Sequence, residues 1–498
     1  MQNEKPYLII QAGGLGTRLK PLTNNIPKCL VSAGGKTLLS RFQEIFDYNI
    51  IIIADYLSDI LINYVNTYLQ NVVVIKAKGK GTLSGIGEAL ALIPENTPLA
   101  ISWSDLLFTK TPIFDKNKTS IGLSNTFNCR YQYIDKKIKK ETSNLSGIAG
   151  FFYFPNKSYL KDIESEGSFV SGFLQKNNFI FEEEFFLQET YEIGEIDLLN
   201  NFEKQYAKSR YFNKVKIEKD KIIKECIDDN YKELILNEIN WYKNVHKIPN
   251  IFEVPQLISE QPFTLERKFG VSPSLLKTED RRKAIFLAGN FLNKIHSYET
   301  IPADLISMKD NYINKTFDRS IKHISMIRYF NQNFLNINGK NVKNPLLDSN
   351  LNNILSNISC KHFCFIHGDL TFSNCLYENG NLYIFDPRGS FGRTKLYGDP
   401  AYDWAKLYYS SIDMYDSTNL KNFYVKYDQN KIIIEPLSRE DDEFIFWRIC
   451  PFSKKEIYLR LLTIWLSLIG YIQNDIDGMN YSAYKACLVY DKIINEIF

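Results

Sequence analysis

Short apolar runs alternate with amphipathic stretches through the N-terminal part of the chain. The pattern predicts strands at Tyr7–Gln11, Ile50–Ala54, Val72–Ala77 and Leu99–Trp103, and a helix over Thr37–Asp47. The second and third strands are continuous β-branched runs, which is typical of strands buried on both faces. Strands that alternate with helices predict an α/β domain with a Rossmann-like, mostly parallel sheet.

Candidate chemistry follows two of these predicted strands. A glycine loop, Gly13–Gly16, comes after the first strand, and Asp105 follows Leu99–Trp103. Open parallel sheets bind ligands beyond the carboxyl ends of their strands. We therefore expect the loop and Asp105 to lie at the same edge of the sheet.

The pattern changes in the second part of the chain. A predicted helix over Asp197–Lys208 closes the first region, and the boundary is placed near residue 206, which gives domains 1–205 and 206–498. The second domain opens with strands that repeat lysine and continues with a helix over Glu233–Val245 and a strand at Asn381–Phe385. The apolar run Leu461–Ile472 is too short to span a bilayer and predicts a buried helix.

Composition narrows the class of protein. The chain has 498 residues, enough for two cores, and its net charge is +3. This small charge argues against a nucleic-acid partner and against attraction to a charged membrane surface, and the short apolar run predicts no membrane insertion. Cysteines without zinc-site spacing and a start without a signal-peptide pattern predict a cytoplasmic protein with reduced thiols. The sequence leaves open whether the protein forms a homo-oligomer.

The glycine loop belongs to a longer motif. It reads Gly13-Gly14-Leu15-Gly16-Thr17-Arg18, followed by Pro21-Leu22-Thr23 and then Pro27-Lys28. Glycines let backbone N–H groups approach a triphosphate, and the two cations add charge where pyrophosphate leaves. The motif resembles that of nucleotidyltransferases, which couple a nucleoside triphosphate to a phosphorylated small molecule. The compact domain favours the branch that uses phosphocholine-like or other small phosphorylated acceptors, usually with CTP.

This resemblance implies roles for particular residues. Arg18 and Lys28 are the catalytic cations, and Asp105 and Glu192 hold Mg²⁺, with Glu192 standing where the family more often has Asp. A surface position for Glu192 and a helix-cap role for Asp105 are the structural alternatives. The implied nucleotide-binding residues are Ala12, Gly13, Gly14, Gly16, Thr17, Gly81, Thr82 and Ser84.

A second motif lies near the C-terminal end. Asp369 is followed five residues later by Asn374, and Asp386 comes after a short predicted strand. In kinase-type phosphoryl transfer, such a set orients the acceptor hydroxyl and holds magnesium against the nucleotide phosphates. Asp369 is the predicted catalytic base, and Asn374 and Asp386 are the predicted Mg²⁺ ligands. The motif resembles that of the aminoglycoside phosphotransferase and choline kinase family, which implies an α+β, protein-kinase-like domain of two lobes.

The same family implies a nucleotide-binding lysine and a helical glutamate. Lys224 and Glu238 are the predicted pair, with Lys216 as the alternative lysine, and Glu266 belongs to a segment that resembles the adenine-binding hinge. Arg388 follows the metal aspartate. It serves either the phosphates and the acceptor or a structural ion pair with Asp399 or Asp403.

Together the motifs predict a bifunctional enzyme. The second domain would phosphorylate a small alcohol or amino alcohol with ATP, and the first would transfer CMP from CTP to that phosphate. The product would be an activated precursor of capsule, lipopolysaccharide or another surface glycan. One alternative is an anomeric sugar kinase joined to a UTP- or dTTP-dependent sugar-1-phosphate nucleotidyltransferase. Another is a nucleotide-sensing scaffold without catalysis.

Overall fold

A computed structural model describes residues 5–161, 163–206, 213–226, 229 and 232–497. The chain divides into two compact units, Met1–Lys208 and Ser209–Phe498. The predicted junction near residue 206 adjoins residues 207–212, which lie outside the described part of the chain, as does the end of the helix predicted over Asp197–Lys208. Within the described residues, no helix combines the length and the apolar character needed to cross a bilayer.

The first unit is an α/β domain. Its helices are α1 (Leu38–Ile45), α2 (Ser58–Tyr68), α3 (Ile86–Ala91) and α4 (Ile196–Tyr206). Its strands are β1 (Tyr7–Gln11), β2 (Ser32–Ala33), β3 (Lys36–Thr37), β4 (Asn49–Ala54), β5 (Val72–Lys76), β6 (Leu99–Trp103), β7 (Leu106–Phe108), β8 (Ser120–Ser124), β9 (Gln132–Ile134), β10 (Lys137–Lys139), β11 (Gly147–Phe154), β12 (Glu183–Phe186) and β13 (Thr190–Glu192).

The main sheet of this unit has the order β10-β9-β11-β6-β1-β4-β5, with β8 joined to β11 and β12 joined to β8. Strands β5, β4, β1 and β6 run parallel, and β11 joins β6 antiparallel. The predicted α/β fold is confirmed. Because β1 and β6 are parallel neighbours, the glycine loop and Asp105 leave the same edge of the sheet.

One predicted strand differs from its expected environment. Val72–Lys76 forms β5, but each of its residues is half-buried or exposed, and Val73 is 48% exposed. The prediction that this strand is buried on both faces is therefore wrong. Within the described residues, β5 pairs only with β4 and closes the sheet at its edge. A β-branched run predicts a strand but carries no information on whether a second neighbour covers it.

The second unit mixes helices and short sheets. Its helices are α5 (Lys232–Val245), α6 (Thr278–His296), α7 (Leu305–Lys309), α8 (Lys315–Ser320), α9 (Leu351–Ser356), α10 (Pro400–Ser411), α11 (Tyr415–Asn419), α12 (Glu440–Ile449), α13 (Lys454–Tyr471) and α14 (Ile476–Lys492). Its strands are β14 (Asn213–Ile217), β15 (Lys221–Cys226), β16 (Leu257–Glu260), β17 (Phe263–Glu266), β18 (Thr300–Pro302), β19 (Phe334–Ile337), β20 (Lys340–Lys343), β21 (His362–Phe365), β22 (Cys375–Glu378), β23 (Asn381–Ile384), β24 (Ser390–Phe391), β25 (Thr394–Lys395), β26 (Tyr397–Gly398), β27 (Tyr424–Asp428) and β28 (Lys431–Glu435).

Two parts of this unit position its candidate site. An antiparallel sheet of order β14-β15-β17-β16 lies beside α5, and the hairpin β22–β23 connects Asn374, which precedes it, with Asp386, which follows it. The core is helical: α13 is buried along most of its length, and it packs against α8, α10 and α14. The unit is a mixed α+β domain, and its likeness to a two-lobed kinase fold stays a prediction.

Candidate active sites

The glycine loop of the first unit leaves β1 as a tight backbone turn. Ala12 is buried and its N–H donates to the Ile53 carbonyl over 2.8 Å, so the loop starts from a fixed point. Gly16 has a φ of +61° and precedes a short 3-10 turn at Thr17–Leu19. A Cβ at Gly16 would lie 2.8 Å from Cγ2 of Thr23, whose hydroxyl donates to the Gly16 carbonyl over 2.7 Å. Only glycine fits this position without strain.

An ion pair lies next to this loop. Lys28 Nζ contacts Asp105 Oδ2, and the two side chains are only 14% and 13% exposed. The second carboxylate oxygen of Asp105, Oδ1, is buried and finds no hydrogen-bond partner among the described residues. A buried carboxylate oxygen without a partner is costly, which points to a ligand that completes the site.

Glu192 lies close to Asp105 because β13 pairs antiparallel with β7, which places Glu192 opposite Leu106. The Ile193 N–H donates to the Asp105 carbonyl over 2.8 Å, and Arg18 Nη2 lies 3.6 Å from Glu192 Oε1. Burial raises the pKa of Glu192, and the negative charge of Asp105 raises it further. The two acids therefore repel one another in a partly buried site.

These features fit a divalent cation. Asp105 supplies an unpartnered buried oxygen, and Glu192 supplies a second carboxylate whose charge is unfavourable beside the first. Oxygen ligands of this kind suit Mg²⁺, which commonly completes its coordination with water and substrate phosphates. Within the described residues, no group of three or more His, Cys, Asp or Glu side chains is placed to hold a metal ion. A cation at Asp105 and Glu192 would thus need further ligands from a nucleotide.

The segment Gly81–Ser84, which is predicted to contact the nucleotide base, is held by hydrogen bonds of its own side chains. The Ser84 hydroxyl is buried and accepts a hydrogen bond from the Gly79 N–H over 2.8 Å, while Thr82 is exposed and accepts one from the Phe169 N–H over 2.8 Å. Gly81 has a φ of +87°, and a Cβ there would lie 2.3 Å from the Gly167 carbonyl oxygen. Ser84 therefore holds the turn, and Thr82 is the more accessible of the two hydroxyls.

In the second unit, the three residues of the kinase-type motif come together. The Asn374 side chain donates to the Asp369 carbonyl over 2.8 Å, and its amide nitrogen lies 3.5 Å from Asp369 Oδ2. The Phe385 N–H donates to the Asn374 carbonyl over 3.1 Å, which brings Asp386 to the same place. Asp386 adopts a left-handed conformation with a φ of 56°, which Asp tolerates better than most residues.

A buried acid binds the backbone of the loop that precedes Asp369. Asp403 is fully buried, and its carboxylate accepts the N–H groups of His367 over 2.8 Å and Gly368 over 2.7 Å. His296 Nε2 lies 3.2 Å from the same carboxylate. Asp403 therefore fixes the backbone just before Asp369, and we call this its bracing role.

The predicted nucleotide lysine is enclosed by acids. Lys224 Nζ lies 2.6 Å from Glu238 Oε1 and also contacts Asp386 Oδ1. Burial alone would lower the pKa of Lys224, but the two carboxylates outweigh it and the pKa is raised. Lys216, the alternative, is 68% exposed and pairs with Glu218. The geometry favours Lys224 over Lys216.

Two other sequence candidates have different surroundings. Glu266 pairs with Lys268 over 2.6 Å, and its N–H donates to the Gln256 carbonyl over 2.9 Å. Arg388 has no ion pair among the described residues, because Asp399 pairs with Arg460 and Asp403 accepts backbone N–H groups. The structural ion pair considered for Arg388 is therefore wrong for both acids.

Two charged contacts had no counterpart in the sequence predictions. Glu195 forms an ion pair with Arg18, and Lys406 Nζ lies 2.9 Å from Asp369 Oδ1. Glu195 directly follows the Glu192–Gly194 segment, and Lys406 follows Asp403 on α10. Both residues stand beside recognised motifs, which is the signal that could have identified them.

Comparison with protein families gives an independent result for the first unit. Residues 7–113 match the family described as Nucleotidyl transferase. The chain is 34% identical over 116 residues to the bifunctional protein GlmU of Methanococcus aeolicus, covering 23% of this chain and 26% of that protein. It is 32% identical over 110 residues to the CTP:phosphoglutamine cytidylyltransferase of Campylobacter jejuni, covering 20% of this chain and 44% of that protein.

The matched stretches thus span 26% and 44% of the length of these two relatives. Among solved structures, HddC from Yersinia pseudotuberculosis is 22% identical with a TM-score of 0.34, and the match covers 40% of this chain and 99% of that one. The family match contains both the glycine loop and Asp105. The first unit of this chain therefore carries a nucleotidyltransferase domain.

Proposed function

We propose that the first unit transfers a nucleotidyl group, CMP from CTP, to the phosphate of a small molecule. The Lys28–Asp105 pair is the observation on which this proposal chiefly rests. It lies at the edge of the sheet where the glycine loop ends, and it leaves one buried carboxylate oxygen without a partner among the described residues. The choice of CTP draws on the printed activity of the Campylobacter relative and on the small size of the unit.

The transfer step follows from the residues around this pair. A phosphate oxygen of the acceptor forms a bond to the α-phosphorus of the nucleotide, the α–β bridging P–O bond breaks, and pyrophosphate leaves. The glycine loop offers backbone N–H groups to the triphosphate, and Arg18 and Lys28 stabilise the negative charge that develops on the leaving group. Asp105 and Glu192 would hold Mg²⁺, which when bound neutralises phosphate charge.

We further propose that the second unit phosphorylates the acceptor with ATP. Asp369 takes the hydroxyl proton, the hydroxyl oxygen bonds to the γ-phosphorus, the β–γ bridging bond breaks, and ADP leaves. Lys224 contacts the nucleotide phosphates while Glu238 holds it in position. Asn374 and Asp386 would hold Mg²⁺, which when bound supplies positive charge to the β- and γ-phosphates. Asp386 already contacts Lys224, so the proposed metal and phosphate groups share one place.

The two proposed activities would act in sequence, phosphorylation first and nucleotidyl transfer second. The phosphorylated product of the second unit is the class of acceptor that the first unit requires. A small alcohol would thus be phosphorylated and then joined to a nucleotide by one chain, with ADP and pyrophosphate as the released products.

A mass-spectrometric acceptor screen tests this proposal. The full chain is incubated with ATP, Mg²⁺, each of CTP, UTP, dTTP and GTP, and a panel of small alcohols, amino alcohols and sugars. A product carrying both a new phosphate and CMP, with ADP and pyrophosphate in equal amounts, is the expected result. A UMP or dTMP adduct would contradict the choice of CTP. Tight nucleotide binding without turnover of any acceptor would contradict catalysis.

A further inference from the structure

The second unit has a group of basic side chains around its catalytic carboxylate. Lys406 Nζ lies 2.9 Å from Asp369 Oδ1, and Lys315 is close enough to Asp369, Lys406, Arg319 and Arg388 to interact electrostatically with all four. We call Lys315, Arg319, Arg388 and Lys406 the basic cluster. Lys315 and Lys406 share one aromatic neighbour, since their Nζ atoms lie 5.6 Å and 6.0 Å from the ring centre of Tyr402.

Within the part of the chain that the structure describes, three members of the basic cluster have no ion pair. Lys315 donates to a neutral oxygen, Asn311 Oδ1, at 3.1 Å, and Arg319 lies over the ring of Tyr471 at 5.8 Å. Within the described residues, neither of them nor Arg388 has a carboxylate within ion-pair distance. This contrasts with Lys224 in the same unit, which contacts two carboxylates.

The close approach of these basic side chains destabilises the folded second unit. Lys315 and Arg319 stand four residues apart on α8, a spacing at which like charges repel. Burial lowers the pKa of Lys315 well below its usual value, and the charges of Arg388, Arg319 and Lys406 lower it further. Burial and Arg388 likewise lower the pKa of Arg319. Within the described residues, the one ion pair of the basic cluster is that of Lys406 with Asp369, so the cluster keeps unpaired positive charge whose repulsion a bound anion would relieve.

We infer that the basic cluster binds an anionic group, a carboxylate or a phosphate, on the acceptor that Asp369 deprotonates. This inference rests on the proposed kinase function of the second unit. It narrows the acceptor from small alcohols in general to those that also carry a negative charge. A purely cationic acceptor such as a quaternary amino alcohol would face four positive side chains and is disfavoured.

A lysine footprint tests the anion site without any turnover. The full chain is acetylated in increasing inorganic phosphate, and the rate at Lys315 is followed by mass spectrometry. At phosphate tenfold above its dissociation constant, the modification of Lys315 should slow by about tenfold, because only the unoccupied fraction reacts. The exposed Lys322 should react at an unchanged rate. Equal rates at Lys315 with and without phosphate would overturn the site.

Variants separate the anion site from general effects of charge. Arg319→Gln should raise the phosphate concentration needed for protection by about tenfold or more, the loss expected for one charge-assisted hydrogen bond. Lys322→Gln, which removes one exposed charge from the same segment, should leave protection unchanged. Arg319→Gln should not lower the melting temperature, because it removes a repelling charge. A lower melting temperature with intact protection would mean a structural role and would overturn the inference.

Matched acceptors then separate this inference from the function on which it rests. Serine is ethanolamine with an added carboxylate, and glycerate has a carboxylate where glycerol has a hydroxymethyl group. The acid of each pair should be the better substrate in ATP-dependent phosphorylation, and Arg319→Gln should raise its KM by about tenfold while the KM for ATP stays constant. Faster turnover of the uncharged members would leave the kinase proposal standing and overturn the anion site. A rise in the KM for ATP alone would assign the basic cluster to the nucleotide and also overturn it. No ADP from any acceptor would contradict the kinase proposal, and the footprint would still decide the anion site.

Discussion

The two units hold their central lysine in different ways. Lys28 of the first unit pairs with one carboxylate, Asp105, whose second oxygen finds no partner in the described part of the chain. Lys224 of the second unit contacts two carboxylates, Glu238 and Asp386. The first site is thus short of a hydrogen-bond donor or cation, and the second carries an excess of negative charge around its lysine. Under the proposed function, a metal nucleotide would offset the charge imbalance in each site.

The loops beside these lysines differ as well. The glycine loop is largely exposed, and its Arg18 side chain is 43% exposed. The loop before Asp369 in the second unit is held in place, because the buried Asp403 accepts two of its backbone N–H groups. We therefore expect the first site to depend on its ligand for order and the second to be largely preformed. The variants below test this difference.

The largest effect is expected at Asp403. Asp403→Ala should lower the stability of the second unit by about 2–6 kcal/mol, since two buried N–H groups lose their acceptor at about 1–3 kcal/mol each. Thermal unfolding of the full chain measures this loss of stability. The unfolding of the second unit is monitored by the loss of its ATP-dependent turnover. Asp428→Ala, at an exposed acid in the same unit, is the control and should change little. Equal melting of the two variants would contradict the bracing role.

Lys28→Met should come next in size. It removes a cation from the proposed leaving group and leaves Asp105 buried without its partner, so pyrophosphate release should fall by about 10²–10³-fold. The matched change Lys36→Met removes a lysine whose pair with Glu44 is exposed, and its effect should be near zero. Similar rates for the two variants would remove Lys28 from the site.

Gly194→Ala should have the smallest effect. A Cβ at Gly194 would lie 1.9 Å from Glu192 Oε1 and 3.2 Å from Arg18 Nη2, so the Glu192 carboxylate must move. Pyrophosphate release should fall by about tenfold, or about 1.4 kcal/mol in the barrier, with little change in melting temperature. Gly87→Ala, at an exposed helical glycine with open space around it, should leave the activity unchanged. An unaffected Gly194→Ala enzyme would argue against a role for Glu192.

Much of the first site could be predicted from local sequence. The glycine loop, the strand before Asp105 and the helix that begins after Thr37 each have a short-range signal, and the Thr37 side chain caps that helix. The exposure of β5 could not be predicted, because it depends on which strands lie beside it. The expected strand ends placed the glycine loop and Asp105 at one edge of the sheet, but the contact of Lys28 with Asp105, 77 residues away, was not predicted.

The basic cluster was not predicted at all. Its members come from α8, from the turn after Asp386 and from α10, and single lysines and arginines in such segments carry no signal of their own. Only the packing of these elements around Asp369 brings the charges together. Conversely, Arg388 was noticed in the sequence, but its partners could not be deduced, since Asp399 is taken by Arg460 from α13.

The most direct test of the two-step account is a reciprocal assay of Asp369→Asn and Asp105→Asn in the full chain. With ATP, CTP and the unphosphorylated acceptor, Asp369→Asn should release neither ADP nor pyrophosphate, and a supplied phosphorylated acceptor should restore pyrophosphate release. Asp105→Asn should form ADP at the normal rate and release no pyrophosphate with either acceptor. Normal pyrophosphate release by Asp105→Asn, or normal ADP formation by Asp369→Asn, would contradict the account.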